Sequence, residues 1–400
     1  MLDHIDSHAR SWIDRLIAWS AISSGTYHLD GLARMADVLR DACAPLGGDH
    51  ETIDLPPAES IDANGNVVRT PLGKGLRFIK RPTAPRQVFL CIHYDTVYPP
   101  TSPFQSSRWL DDRTLNGPGV NDAKGGITVM LSALQAFEAV CPQRDQLGWE
   151  IYLNPDEEIG SPGSASFLRE VARCHSIALL FEPALADGSI VSSRKGSGNF
   201  TAIVRGKAAH SGRDFHAGRS ATVALGELIV RVDALNGQLG SDVTINCGRV
   251  EGGGAVNTVP DLAIGRFNVR VNDGDDVPRV ESALKRVAQE VQQLRDGISI
   301  AWHGTFQSPP KPFDDRSRQL FEMIQECGRS VGLDLQAKPS GGASDGNKLA
   351  AAGNIAVIDS MGPEGGEIHS EREFVRVDTV AQRAKVLALV LEKLAAGSLA

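Results

Sequence analysis

Six cysteines, Cys43, Cys91, Cys141, Cys174, Cys247 and Cys327, are scattered along 400 residues without a CxxC pair. They read as buried free thiols in a reducing compartment. Long apolar runs are missing too: nothing approaches the stretch of about 18 residues that a membrane span needs. There is no cationic excess. The net charge is −8, which argues against a broad nucleic-acid surface and for plain solubility. The opening stretch "MLDHIDSHARSW" lacks an apolar signal core, so export by that route is not expected and the cytoplasm is the expected location. No low-complexity segment and no fixed-period repeat occurs. What is present is an ordinary globular composition, 42% hydrophobic and 22% charged, over a length suited to two or three domains.

Periodicity divides the chain into two styles. Trp12, Leu16 and Trp19 recur at helical spacing, as do Leu32, Met35, Val38 and Leu39. "RQVFLCIH" is a nearly continuous apolar run, expected of a strand buried on both faces. The Gly-rich stretch "GPGVNDAKGG" reads as a loop. It leads into a helix with Ile127, Met130, Leu131, Leu134 and Phe137 on one face. "WEIYLNP" and "SIALLFEP" are two further strands, with a helix "SASFLREVARC" between them. This alternation predicts an α/β fold with a mainly parallel sheet. The middle differs. Strands "GNFTAIVRG", "DVTINCGRV", "LAIGRFNVRV" and "GISIAWHG" alternate with two helices in the order β-α-β-β-α-β, a ferredoxin-like unit. The first of those helices is expected to bury Val223, Leu228, Val232 and Leu235. The predicted arrangement is a discontinuous catalytic domain, residues 1–193 and 308–400, with a second domain, 194–307, inserted in it. A Pro-rich linker, "SPPKPFDD", follows the insert, and the strand "NIAVIDS" and a final helix resume the α/β style.

Ligands of open α/β sheets bind outside the carboxyl ends of the strands. His93 and Asp95 follow "VFLCI". Asp156, Glu157 and Glu158 follow "EIYLNP". Glu182 ends "IALLF". Asp122 lies in the first Gly-rich stretch and His369 in a second, "GPEGGEIHSE". Three adjacent carboxylates repel one another and are costly to desolvate. They form either a solvated turn or one side of a cation site. Two histidines and several carboxylates converging on one sheet edge suit zinc, and a shared carboxylate can hold two ions. Residues i and i+2 of a strand share a face, so Asp95 can lie beside His93 and fix its ring. Glu157 and Glu158 face different ways; one can bind metal while the other holds a water. Asp156 is left to orient a neighbour or to face solvent.

The segments "HYDTVY", "GPGVNDAKGG", "DEEIGSPGS", "FEP", "GKAAHSG", "NTVP" and "GGASDG" together resemble the co-catalytic zinc exopeptidases and deacylases. That family includes glutamate carboxypeptidases, aminoacylases, acetylornithine deacetylase and succinyl-diaminopimelate desuccinylase. The glutamate-carboxypeptidase branch is the most similar, through "HYDTVY" and "GPGVNDAKGG". The resemblance implies a zinc exopeptidase-like catalytic domain and an inserted lid and dimerisation domain. It implies two Zn2+ per chain, with Co2+ or Mn2+ as substitutes. His93 and Glu182 would hold one ion, Glu158 and His369 the other, and Asp122 would bridge them. Asp95 would orient His93. Glu157 would be the general base, and the Asp122–Ala123 peptide would be cis. His210 of "GKAAHSG" would reach the oxyanion, often across a dimer. Asn257 and Arg270 would hold a substrate carboxylate, the arginine by its bidentate fork. Gly341 and Gly342 would line the substrate.

The resemblance therefore implies a metal-dependent amidohydrolase acting on N-acyl amino acids or short peptides with a free carboxylate. Two ions lower the pKa of a shared water, and Glu157 takes its proton and passes it to the leaving amine. A di- or tripeptidase, or a deacetylase of a biosynthetic intermediate, would use the same chemistry. A metal-free scaffold is the rival of another class, and the presence of all five ligands and the base disfavours it. Two departures bear on specificity. The lysine of folate-cleaving relatives is missing after Glu182, and Lys311 stands near a position where the family has an arginine. The partners implied are a small-molecule substrate and a second copy of the chain, with neither nucleic acid nor membrane.

Overall fold

The computed structural model describes residues 1–398; residues 399–400, the end of the expected C-terminal segment, lie outside them. The strand Arg86–His93 shows why the main sheet forms. Val88, Leu90 and Ile92 enter a core shared with the helices Leu2–Ser20, Lys124–Val140 and Val377–Ala396. Phe89 and Cys91 point the other way, against Leu168 and Val171 of Ala165–Cys174 and Leu349 of Asp345–Ala352. A strand covered on both faces reads as an unbroken apolar run.

The sheet is six-stranded, in the order Asp49–Ile53, Gly75–Lys80, Leu147–Asn154, Arg86–His93, Ile177–Leu180, Ala356–Ile358. The last four run parallel to their neighbours, and the first two are antiparallel at one edge. The fold is thus α/β and mainly parallel, as expected. The sequence pattern assigned no elements to residues 49–80, yet this segment supplies four strands, Asp49–Ile53, Ala58–Ile61, Val67–Thr70 and Gly75–Lys80. The first and third are largely exposed, and the second buries only its end residues, Ala58 and Ile61. With so little buried, and none of it alternating, these three carry no hydrophobic period to read.

The Gly-rich stretch before "ITVML" is not all loop, because the helix already begins at Lys124. Gly125 and Gly126 sit in its first turn. A Cβ on Gly126 would overlap the carbonyl oxygen of Phe181, so glycine is what lets this helix reach the neighbouring strand end.

Residues 196–308 form a second sheet with its own core. Its strands lie in the order Thr244–Gly252, Leu262–Val271, Gly196–Arg205, Ser299–Ser308, all neighbours antiparallel. This is the ferredoxin-like order. Phe200, Ala202 and Val204 alternate inward against Leu228 and Val232 of Ala221–Asp233 and Leu284 and Val287 of Asp276–Leu294. Val223 is not on the buried side. It is 51% exposed, while Ala221, Ala224, Leu225, Leu228 and Val232 fill that face at helical spacing. Not every thiol is buried either: Cys174 is exposed at a helix end and Cys247 is partly exposed.

Two chain crossings join this unit to the main sheet, and they are bonded to each other. Arg194 and Lys311 exchange backbone hydrogen bonds of 3.0 Å in both directions. The side-chain amide of Asn347 donates to the carbonyls of both Lys195 (3.0 Å) and Pro309 (2.7 Å).

Candidate metal centre

The strand order reverses at Arg86–His93: the chain goes from it to Leu147–Asn154 on one side, then crosses to Ile177–Leu180 on the other. A crevice opens at the carboxyl ends of such strands. Register sets the heights. His93 pairs with Asn154, and Cys91 with Leu180, so Glu182 falls level with His93. Glu157 and Glu158 form a single 3-10 turn, Glu157–Ile159, closed by Gly160 at φ 89°. That left-handed conformation is one glycine adopts freely. Asp122 precedes the helix Lys124–Val140 through a cis bond to Ala123. His369 occupies a left-handed position, φ 62°, between the short strands Gly365–Gly366 and Phe374–Arg376.

These elements bring the seven catalytic-domain residues of the expected centre together. Asp122 lies between the two histidines: His93 Nε2 is 3.1 Å from its Oδ1, and His369 Nε2 is 3.2 Å from its Oδ2. His93 Nε2 is 3.7 Å from Glu182 Oε2, and His369 Nε2 is 3.2 Å from Glu158 Oε2. His93, Asp122 and Glu158 offer ligand atoms within 4.8 Å of one another. One carboxylate between two imidazoles, each with a further carboxylate, is a donor set of the kind that can hold divalent ions.

The electrostatics fit a cationic occupant. Burial, then the Glu182 charge, holds the Glu157 carboxyl well above its ordinary range. Burial and the neighbouring Asp122 push Glu158 up to about 7, and burial raises Glu182. Among the described residues no lysine or arginine forms an ion pair with Glu157, Glu158 or Glu182. Burial acts to lower His93, but Glu182, Asp122 and Asp95 outweigh it and hold the imidazole well above its usual value. Hydrogen bonding to Asp122 and then Glu158 brings His369 up to about 10. A field that makes imidazoles bind protons so tightly also favours a metal ion.

A layer of buried groups holds these side chains. Asp95 is fully buried, with Oδ1 3.4 Å from His93 Nδ1. The same carboxylate accepts from the backbone N–H groups of Glu157 (3.2 Å) and Glu158 (3.3 Å) and from Thr26 Oγ1 (2.7 Å). It therefore ties the histidine strand to the acidic turn. Asp156 does not face solvent. It accepts from Gly163 N (2.6 Å), Ser164 N (3.3 Å) and Ser164 Oγ (2.6 Å), pinning the loop that follows the turn. Burial pushes its carboxyl up to about 6.

Sequence reasoning missed Glu373. Its Oε1 accepts from the N–H groups of Asn121 (2.9 Å) and Asp122 (3.0 Å), and its Oε2 from Gly119 N (3.1 Å) and Tyr98 OH (2.8 Å). The available signal was an acid four residues after His369, in "HSERE". Arg194 was also missed. It lines a cavity of about 350 Å³ beside Glu157, Glu158 and Glu182. Its Nε donates to Asp359 at 2.6 Å. "SSRKG" offers no pattern that would mark it out.

Other expected residues lie outside that cavity's lining. His210 is exposed on a two-residue strand paired with Thr258–Val259, and its Nδ1 accepts from Gly212 N and Arg213 N. Asn257 is exposed beside it, its carbonyl accepting from Ser211 N. Arg270 is on the inserted sheet with Nε donating to Asn268 Oδ1 at 2.9 Å. Gly342 lines the cavity, whereas a Cβ on Gly341 would meet nothing within 4 Å. Lys311 is buried, with Nζ donating to the Ser192 carbonyl at 2.6 Å, and does not reach the cavity.

The model of peptidase family M20/M25/M40 matches residues 89–393. Carboxypeptidase G2 of Pseudomonas sp. (strain RS-16) is 25% identical over 386 residues, covering 94% of this chain and 87% of that protein. Succinyl-diaminopimelate desuccinylase of Pseudomonas syringae pv. syringae is 27% identical over 306 residues, covering 72% and 78%. The solved aminopeptidase PepT of Bacillus cereus superposes with a TM-score of 0.73 at 22% identity, covering 97% of this chain and 99% of that one. This last likeness is one of fold.

Proposed function

The chain belongs to peptidase family M20/M25/M40, and on that premise we propose that it hydrolyses the amide of an N-acyl amino acid or short peptide bearing a free carboxylate. The observation that carries this reading is Asp122 set between His93 and His369, with Glu182 and Glu158 outside them. These five side chains would hold two divalent ions, zinc first, with cobalt or manganese as substitutes. When bound, such ions supply Lewis acidity that polarises the scissile carbonyl and makes hydroxide available near neutral pH.

The chain's own residues do the rest. Glu157 has no partner for its side chain among the described residues, and burial has raised its proton affinity. It is therefore suited to take a proton from water and deliver it to the leaving amine. Asp95 keeps the His93 ring in place. Arg270 is the proposed carboxylate clamp, with Asn257 beside the substrate and His210 on the oxyanion. In support, Arg270 is half-buried and has no acidic partner among the described residues, and burial lowers its pKa. An unpaired guanidinium of this kind gains most from a bidentate anion. Gly341 and Gly342 would give the substrate a backbone wall.

Residues 194–307 are proposed as a lid that also dimerises the protein, with 1–193 and 308–400 as the catalytic domain. The separate cores support this division. On Ala221–Asp233, Val223 and Val230 are 51% and 69% exposed on one helical face. Beside them Thr244–Gly252 is a sheet edge. An apolar stripe next to an open edge suits a self-association surface. Sedimentation of Val230→Glu against the parent tests it: a parent that is already monomeric removes the dimer.

The function is tested by metal analysis and a hydrolysis panel of N-acyl amino acids and dipeptides, each with zinc, cobalt and manganese. The expected result is about two ions per chain and cleavage of free-carboxylate substrates. A protein that binds no metal after chelator-free purification and cleaves nothing would be a scaffold.

A further inference from the structure

Two cavities meet at Glu158. The first, already described, is also lined by Glu157, Glu182 and Arg194. The second, of about 280 Å³, is lined by Glu158 together with Tyr27, Val97, Pro99, Pro100 and Ile159. Its chemistry is different. No lysine or arginine lines it, and its other ionisable members are Tyr27 and His28. The His28 Nδ1 is already within 3.1 Å of the Ser23 carbonyl. Tyr27 and Val97 are 58% and 38% exposed, an apolar edge open to solvent.

An amide held at the centre has two arms, and the two cavities give each arm a place. Glu157 decides which goes where. In the proposed reaction it delivers a proton to the leaving nitrogen, and it lines the first cavity but not the second. The amine half therefore lies on the Glu157 side, in the first cavity. The acyl half is left with the second. Resting on the hydrolase reading above, we infer that the cavity formed by Tyr27, Val97, Pro99, Pro100 and Ile159 is the acyl pocket and selects an uncharged apolar or aromatic acyl group. An anionic acyl chain would find no lysine or arginine along those walls to pair with. An acetyl group would leave the apolar walls uncovered and forgo their burial. The reaction balances as an ordinary hydrolysis: the acyl–nitrogen bond breaks, water adds its oxygen to the acyl carbon, and the amine leaves with the proton that Glu157 carries.

The test uses the metal-loaded full-length protein and one amino acid carrying four acyl groups: acetyl, succinyl, phenylacetyl and octanoyl. The phenylacetyl and octanoyl substrates should exceed acetyl by ~10-fold or more in kcat/KM, with succinyl the poorest, since an apolar pocket discriminates on that scale. Val97→Asn and Tyr27→Ala should each lower the phenylacetyl-to-acetyl ratio several-fold. Both positions are solvent-exposed, so neither substitution removes a core contact. Preference for succinyl, or a ratio unmoved in both variants, would overturn the acyl pocket while leaving the hydrolase reading intact. Failure to cleave any of the four, alongside an inactive dipeptide panel, would overturn both.

Discussion

Glu373 places its Oε1 3.0 Å from the backbone nitrogen of Asp122, a residue 251 positions away in sequence. The same hairpin carries His369, whose Nε2 lies 3.2 Å from Asp122 Oδ2. One segment thus holds Asp122 from behind, through its main chain, and from the front, through its side chain. Glu373→Gln would turn an amide NH2 toward N–H donors. The expected outcome is metal affinity weakened by roughly 10- to 100-fold, the usual cost of losing an outer-shell partner. Competition with a chromogenic chelator measures it, and an unchanged affinity would show that Asp122 does not need this anchor.

Glu157→Gln should separate chemistry from metal binding. The carboxamide keeps the volume but cannot accept the proton, so turnover should fall by ~10²-fold or more while metal content stays at the parental value. A fully active variant would take Glu157 out of the base role.

Arg270→Ala should raise KM for substrates with a free carboxylate and leave their carboxyl-amidated analogues much less affected. Equal losses on both series would mean that Arg270 does not clamp the carboxylate.

Gly126 allows the helix Lys124–Val140 to approach the Phe181 carbonyl, one residue before Glu182. Gly126→Ala forces backbone to move, and overpacking of this kind costs about 1–3 kcal/mol. Denaturant unfolding should show that loss. Metal binding should weaken with it, because Glu182 shifts relative to Asp122. A variant as stable as its parent would contradict the close approach.

Lys311 carries a pH-dependent stability term. Burial lowers its pKa from 10.5 to about 8 in the folded protein. The neutral amine is the form the fold prefers, and the unfolded chain binds the proton first as pH falls. Stability is therefore present above pH 10.5 and is lost as pH drops through about 8, worth about 3 kcal/mol. Lys311→Met lacks this term. Its stability relative to the parent should fall by about that amount between about pH 7.5 and about pH 10.5. A difference that is flat with pH would mean that Lys311 stays charged when buried.

The sequence by itself determined which histidines and carboxylates are the candidate ligands and where they stand in the chain. Strand ends announce themselves because "VFLCI", "EIYLN" and "IALLF" must be apolar throughout to be covered on both faces, so a His or Glu that follows stands out. Turn chemistry and spacing did the same for Asp122 and the "DEE" triplet. Only the tertiary structure decided how the triplet divides. Asp156 turned inward to Gly163 and Ser164, while Glu157 and Glu158 stayed at the crevice. Likewise Arg194 carries no local signal and Glu373 only its nearness to His369, since their partners, Asp359 and Asp122, are distant in sequence and meet them only once the sheets have formed. The strands Asp49–Ile53 and Val67–Thr70 were invisible for the opposite reason: they are exposed along nearly their whole length, so their pairing is held by backbone hydrogen bonds that no side-chain pattern records.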